Sequence, residues 1–186
     1  MIIISHRGHS LDGTQENTIE AIINAWNHGA DAVEIDICFH DGHLWLSHDL
    51  PLQEGAQLLV DVLDRAPTFI YGIFLDVKVH NDKDEMIECF KKLVVRTENK
   101  LWFQSFDHCL LHNVIRIGLP YIHSFGMLVE DNDHDAPFAG ITYMAVPLET
   151  YESFKKHDLP ILVWTITKAE EWNALDDVAG AFTDVL

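Results

Sequence analysis

Short apolar runs alternate with amphipathic stretches along the whole chain, and no linker or low-complexity segment interrupts them. Runs of this kind, bounded by turn residues, predict strands buried on both faces, and the stretches between them predict helices. Eight strands are predicted: Ile2–Ser5, Ala32–Ile37, Ile73–Val77, Leu101–Ser105, Tyr121–Met127, Ile141–Val146, Ile161–Ile166 and Gly180–Thr183. Regular alternation with helices predicts a parallel α/β layout, and eight such strands predict a compact (β/α)8 barrel of the TIM type. The chain is short for that fold, so residues 1–186 are expected to form a single barrel domain with short loops. The polar segment EDNDHDAPFAG stands where a helix should follow the fifth strand, which predicts a missing or stunted helix near residues 130–139.

Several boundaries have chemical reasons. Asn17 and Thr18 are good N-caps for a first helix, and Gly29 can close it in the left-handed conformation. Ile19, Ile22, Ile23 and Trp26 recur at helical spacing and are expected to form its core face. The stretch NDKDEMIECFKKLVVR carries acids first and bases last, which complements a helix dipole. Pro120 and Pro160 each precede an apolar run, where they stop a helix and favour extended entry. Asp41-Gly42 is a tight-turn signal, so FHDGHLWLSHD is expected to be a hairpin following the second strand.

Composition changes this picture in one respect. Apolar residues make up 48% of the chain, enough for a sizeable core, but 30 acidic residues face 12 basic ones. The resulting formal charge of -18 argues against nucleic acid and anionic membrane surfaces as partners. Any anion must therefore be held locally, by a metal and a few basic groups. Cys38, Cys89 and Cys109 have no metal-type spacing and are odd in number, so free thiols in a reducing compartment are expected. The start, MIIISHRG, lacks the basic region of a signal peptide, and no run is long enough to span a bilayer. A cytoplasmic location is the expectation.

Strand parity gathers the chemistry. Side chains at i and i+2 of a strand share a face. Glu34 and Asp36 are such a pair, Asp76 and Lys78 another, and His6 continues the parity of Ile2 and Ile4. In a (β/α)8 barrel the C-terminal strand ends form the active face, so these groups converge on one rim, joined by His48 if the hairpin folds over it. Converging carboxylates suit a hard divalent cation, Mg2+ or Ca2+ with Mn2+ also suitable, rather than zinc. Arg7 and Lys78 add cationic contacts, and two histidines add proton transfer near neutrality. The inventory suits phosphoryl-transfer chemistry. Most of the other histidines, and Trp26, Trp45, Trp102 and Trp172, are read as surface or packing residues, and EDNDHD as a solvated loop without the glycine and closing glutamate of a calcium loop.

At this point the chain resembles the glycerophosphodiester phosphodiesterase family, in a short form. The residues that carry the resemblance are HRG at His6–Gly8, ENT at Glu16–Thr18, EID at Glu34–Asp36 and HD at His48–Asp49. LDVK at Leu75–Lys78, QSF at Gln104–Phe106, VWTI at Val163–Ile166 and FTD at Phe182–Asp184 follow in the family's order. The resemblance implies His6 and His48 as the acid/base pair, and Glu34, Asp36 and Asp76 as ligands of a divalent cation. It implies Arg7 and Lys78 as phosphate binders, Glu16 and Asn17 as supports of the site, and Trp164 as an apolar wall for the alcohol. It further implies a small-molecule phosphodiester substrate, cleaved to glycerol phosphate and an alcohol. Three departures stand out. Asp76 replaces a common glutamate, the insertion usual after HD is missing, and His9 and Thr167 replace a small residue and an asparagine. The D-x-K step at Asp76 is also similar to sphingomyelinase D-type enzymes, so a lysophospholipase D-like activity stays open, as does a barrel that binds a phosphoryl ligand without turnover. The oligomeric state is left open.

Overall fold

Among the described residues nine strands form one sheet, and eight of them, all parallel, close into a ring. The computed structural model describes residues 1–10, 13–80, 82–130 and 139–186. In chain order the elements are β1 (Ile2–Ser5), α1 (Ile19–Asn27), β2 (Ala32–His40), β3 (His43–Leu46), α2 (Leu59–Arg65), β4 (Gly72–Val77), α3 (Lys83–Lys92) and β5 (Leu101–Ser105). There follow α4 (His108–Ile117), β6 (Ile122–Leu128), β7 (Tyr143–Pro147), α5 (Tyr151–Phe154), β8 (Ile161–Ile166), a 3-10 turn (Ala169–Ala174) and β9 (Gly180–Thr183). Around the ring the order is β1, β9, β8, β7, β6, β5, β4, β2, and β2 pairs back to β1 through Ile4 with Ala32 and Ser5 with Val33. The expected (β/α)8 barrel is the fold.

Two apolar layers hold it. Outward residues of the strands, such as Val33, Ile35, Ile73 and Leu75, pack on Ile19, Ile22, Phe90 and Leu110 of the surrounding helices. Inward residues form a second cluster of Ile4, Ala32, Phe74, Leu128, Tyr143, Ala145, Leu162 and Phe182. Ile4, Ala32 and Phe74 share the parity of His6, Glu34 and Asp76. Gly126 on β6 leaves the space that the Tyr143 ring fills: a Cβ there would lie 2.0 Å from the ring's Cζ.

Most predicted boundaries agree within two residues. Thr18 caps α1 by accepting from the Ala21 N–H, and Gly29 follows with φ +83°. The expected face of α1 needs correction. Ile19 and Ile22 are buried beside Ala21 and Ala25, but Ile23 is 39% and Trp26 51% exposed. The helix turns its small residues inward because the chain at Gly8 passes so close to Ala21 that a Cβ there would meet the Ala21 carbonyl carbon at 2.7 Å. The acid-to-base helix is α3, shorter at both ends than its amphipathic stretch. The hairpin forms as expected, with Asp41 and Gly42 both at positive φ and β3 antiparallel to β2. Most of residues 130–139, where a stunted helix was expected, lies outside the described residues, as does most of the EDNDHD loop. No helix among the described residues is long and apolar enough to cross a membrane.

Candidate active site

The rim at the C-terminal strand ends gathers the predicted groups. A cavity of about 250 Å³ there is lined by His6, Arg7, Glu34, His48, Asp76, Lys78 and Trp164, together with Gln104, Phe106, Leu128, Glu130, Thr165 and Phe182. Parity brings this about: Glu34 follows Ala32, Asp76 follows Phe74, and both step up from the inward apolar layer to the rim.

Asp36 is the hub beneath the cavity and is almost wholly buried. Its Oδ2 lies 2.9 Å from Arg7 Nε and its Oδ1 3.0 Å from Lys78 Nζ. Asn17 grips it reciprocally: Nδ2 donates to Asp36 Oδ2, and the Asp36 N–H donates to Asn17 Oδ1, both at 2.9 Å. Burial disfavours the Asp36 carboxylate, but Lys78, Arg7 and Asn17 outweigh burial and hold it below the usual range. Asn17 thus supports the site from within, and it also lines a second cavity with Arg7, Glu16 and His48. Glu16 approaches Arg7 Nη1 at 3.4 Å. Arg7 itself sits at φ 54°, and that turn aims its backbone N–H at Glu34 Oε2, 2.9 Å away.

Lys78 joins the two strands' acids, donating to Asp76 Oδ2 at 2.7 Å while pairing with Asp36. The bookkeeping of charge then leaves one surplus acid. Arg7 and Lys78 match two carboxylates, and Glu34 is the third. Burial, then the Asp36 charge, push Glu34 up to about 8, while burial raises Asp76 to about 6 against the opposing pull of Lys78. Glu34 Oε1 and Asp76 Oδ1 are buried without a hydrogen-bond partner. Glu34, Asp36 and Asp76 each offer an oxygen within 4.8 Å of the others, a grouping that fits one hard cation. The orphaned oxygens supply the physical reason: buried carboxylates without partners are costly, and a cation would satisfy both.

The two histidines each have a carboxylate at Nδ1. His6 Nδ1 is 2.8 Å from Asp184 Oδ1, and His48 Nδ1 is 2.9 Å from Asp49 Oδ2. Burial works against the His6 imidazolium, yet the Asp184 hydrogen bond and the Glu34 charge outweigh it and raise its pKa. In both cases Nε2 is left for other chemistry. His48 reaches the rim because the hairpin returns alongside β2 and the Ser47 N–H donates to the Asp36 carbonyl at 3.1 Å. Trp164 stands on the far wall, edge-on to Phe106 at 5.8 Å between ring centroids.

Sequence reading assigned no role to Asp184, Asp49, Gln104, Phe106 or Glu130, although several lie inside the quoted motifs. Gln104 is buried and accepts from the Tyr143 hydroxyl at 2.7 Å, which fixes its amide at the cavity floor. Cys38 is buried under the site, its thiol donating to the Ser47 carbonyl; burial pushes it up to about 12, so it is inert there.

Comparison with known proteins agrees with this geometry. A sequence model of the "Glycerophosphoryl diester phosphodiesterase family" matches residues 6–69. A glycerophosphodiester phosphodiesterase of Caldanaerobacter subterraneus is 24% identical over 98% of this chain and 93% of its own. That alignment runs over 235 positions, so the relative carries segments this chain lacks. The crystal structure of a Thermotoga maritima glycerophosphodiester phosphodiesterase superposes with a TM-score of 0.74, at 24% identity over 99% of this chain and 94% of that one. An Oleispira antarctica phosphodiesterase, solved with the product sn-glycerol-3-phosphate, also gives 0.74, at 19% identity over 99% and 93%. These structures share the fold.

Proposed function

We propose, from the premise that this chain belongs to the glycerophosphoryl diester phosphodiesterase family, that it hydrolyses small glycerophosphodiesters to glycerol phosphate and an alcohol. The observation that carries the reading is the convergence of His6, His48, Arg7, Lys78, Glu34 and Asp76 on one cavity, with Asp36 beneath it. Hydrolysis joins an attacking oxygen to phosphorus, breaks the P–O bond to the alcohol, and hands a proton from the nucleophile to the leaving alkoxide. His6 and His48 suit the two proton transfers, each with Nε2 free and Nδ1 fixed by a carboxylate. Asp184 and Asp49 keep the rings in one tautomer, and Asp184 also stabilises the charged form of His6.

Glu34, Asp36 and Asp76 would hold the divalent cation, Mg2+ or Ca2+, with Mn2+ a third choice. When bound, it would neutralise charge that develops on the phosphoryl oxygens. Its two charges exceed the single surplus of Glu34, so the site becomes cationic inside an acidic protein. Arg7 and Lys78 then face the phosphoryl group with their own charges already partly balanced by Asp36 and Asp76, which sets its orientation. The cavity lies below the about 300–1,000 Å³ of drug-sized ligand sites, which favours a small diester over a lysophospholipid. The cytoplasm suits such a substrate and the free thiols.

The test is turnover by chelator-stripped protein across a panel of divalent cations, glycerophosphodiesters and lysophospholipids. Cation-dependent release of an alcohol from a glycerophosphodiester is expected. Phosphoryl-ligand binding without turnover under every cation overturns the reading.

A further inference from the structure

His9 departs from the family's usual small residue, and no step of the proposed hydrolysis uses it. Its ring lies against that of His28, with centroids 4.9 Å apart and planes tilted by 54°. The fold builds this contact. The His9 N–H donates to the Ala21 carbonyl at 2.9 Å, and the His9 carbonyl accepts from Asn24 Nδ2 at 3.4 Å. Both bonds hold the turn after β1 against α1, and His28 is the C-cap of that helix. Neither histidine lines the phosphodiester cavity.

The state of the rings follows from their surroundings. His28 Nδ1 is 2.8 Å from the Asn24 carbonyl oxygen, which can only accept. Nδ1 therefore carries a proton, and Nε2 of the neutral ring keeps its lone pair. A backbone carbonyl on the other ring nitrogen is the usual way a metal-ligating histidine is oriented. Burial, then the nearby His28, lowers the His9 pKa, which favours the neutral ring that a metal needs.

The spacing suits a shared ion. An imidazole nitrogen binds Zn2+ at about 2.0–2.1 Å, which puts the ion about 3.2 Å from the ring centroid. Two rings on one ion then have centroids about 4.5 Å apart at a right angle and about 5.2 Å apart at a tetrahedral one. The observed 4.9 Å falls between these. Charge agrees. The last turn of α1 carries no basic residue, so a cation beside His28 meets the uncompensated negative end of the helix dipole. Imidazole suits Ni2+, Cu2+ and Zn2+, whereas the oxygens of Glu34, Asp36 and Asp76 suit hard ions.

We propose that His9 and His28 form a metal site separate from the carboxylate cluster. It takes one Ni2+, Cu2+ or Zn2+ ion through two imidazole nitrogens, with water completing the shell. The bound ion braces the turn after β1 against the C-terminus of α1.

The experiment is a calorimetric titration of nickel chloride into protein saturated with Mg2+, which occupies the carboxylate cluster. The native chain is compared with His9→Ala, His28→Asn and Glu34→Gln. Either histidine substitution should weaken nickel binding by about tenfold or more, because a second ligand on the same ion acts at high effective concentration. Equal losses from both substitutions mark a shared ion, since two independent histidines would each remove only their own weak site. Glu34→Gln should leave the nickel site in place. Nickel should also raise the Tm of the native chain more than that of either histidine variant. Thermal unfolding without nickel checks that the variants fold. Nickel uptake that survives either histidine substitution, or that vanishes in Glu34→Gln, overturns the site, as does absence of uptake by the native chain.

Discussion

Asn17 holds Asp36 from two sides, and it does so at φ 56°, a conformation asparagine tolerates better than most residues. Asn17→Ala removes both hydrogen bonds and keeps the strained backbone. A loss of about 2–3 kcal/mol is expected in urea denaturation, because a buried carboxylate and a buried N–H lose their partner. His6→Ala and His48→Ala should leave folding intact and lower kcat about 10²–10⁴-fold, the usual reach of acid/base catalysis. Asp184→Asn is subtler. It keeps the shape but removes the hydrogen-bonded charge that raises the His6 pKa, so whichever limb of the pH–rate profile His6 controls should move to lower pH. An unmoved profile would remove Asp184 from the proton-transfer machinery. These residues differ in how readable they were. The Glu34/Asp36 step, His6 and His48 sit in motifs with a stated chemistry. Asp184 lies 178 positions from His6, and only closure of the ring by β1 and β9 brings the two together. Glu130 had no signal beyond its charge, one of 30 such residues.

Strands were legible because their two-residue alternation is independent of what packs on them. The inward residues Ile4, Ala32 and Phe74 follow from the parity of His6, Glu34 and Asp76, whereas Leu128 lies one residue past the predicted end of its strand. A helix face is harder to place. Ile23 and Trp26 match helical spacing as well as Ala21 and Ala25 do, and the choice between them is made by the close passage at Gly8, which is a tertiary fact. Alternation also hides what small residues do inside the barrel. Gly126 on β6 reads as a weak strand position, yet it makes room for the ring whose hydroxyl fixes Gln104. Gly126→Ala should therefore displace Tyr143 and cost about 1–3 kcal/mol by overpacking, measurable as a lowered Tm. It should also loosen the Gln104 amide at the cavity floor, raising KM more than it lowers kcat.

At the scale of the whole molecule, the buried acids couple folding to pH and to the cation. Glu34 and Asp76 have folded pKa values raised above those of the unfolded chain, so they bind protons in the fold that the unfolded chain has released. His6 is raised as well, and its stabilisation is likewise lost as pH rises through its folded value. All three act in one direction, so the cation-free protein should lose stability as pH rises from about 5 to about 8. Asp36, whose pKa is lowered, contributes its own pH dependence only in more acidic solution. Adding the divalent cation should flatten the Tm-against-pH curve, because it takes the place of the Glu34 proton, and its affinity should rise with pH for the same reason. A Tm that climbs over this range without cation would refute the protonated state of Glu34. One consequence concerns how such a chain can be lengthened or trimmed. The hairpin clamps Ser47 to Asp36 before the chain moves on past Asp49. Anything spliced in after that clamp would enter downstream of His48, the last cavity-lining side chain on this arm. The position after Asp49 is thus a socket, where a segment could be added without changing the spacing of the groups beneath.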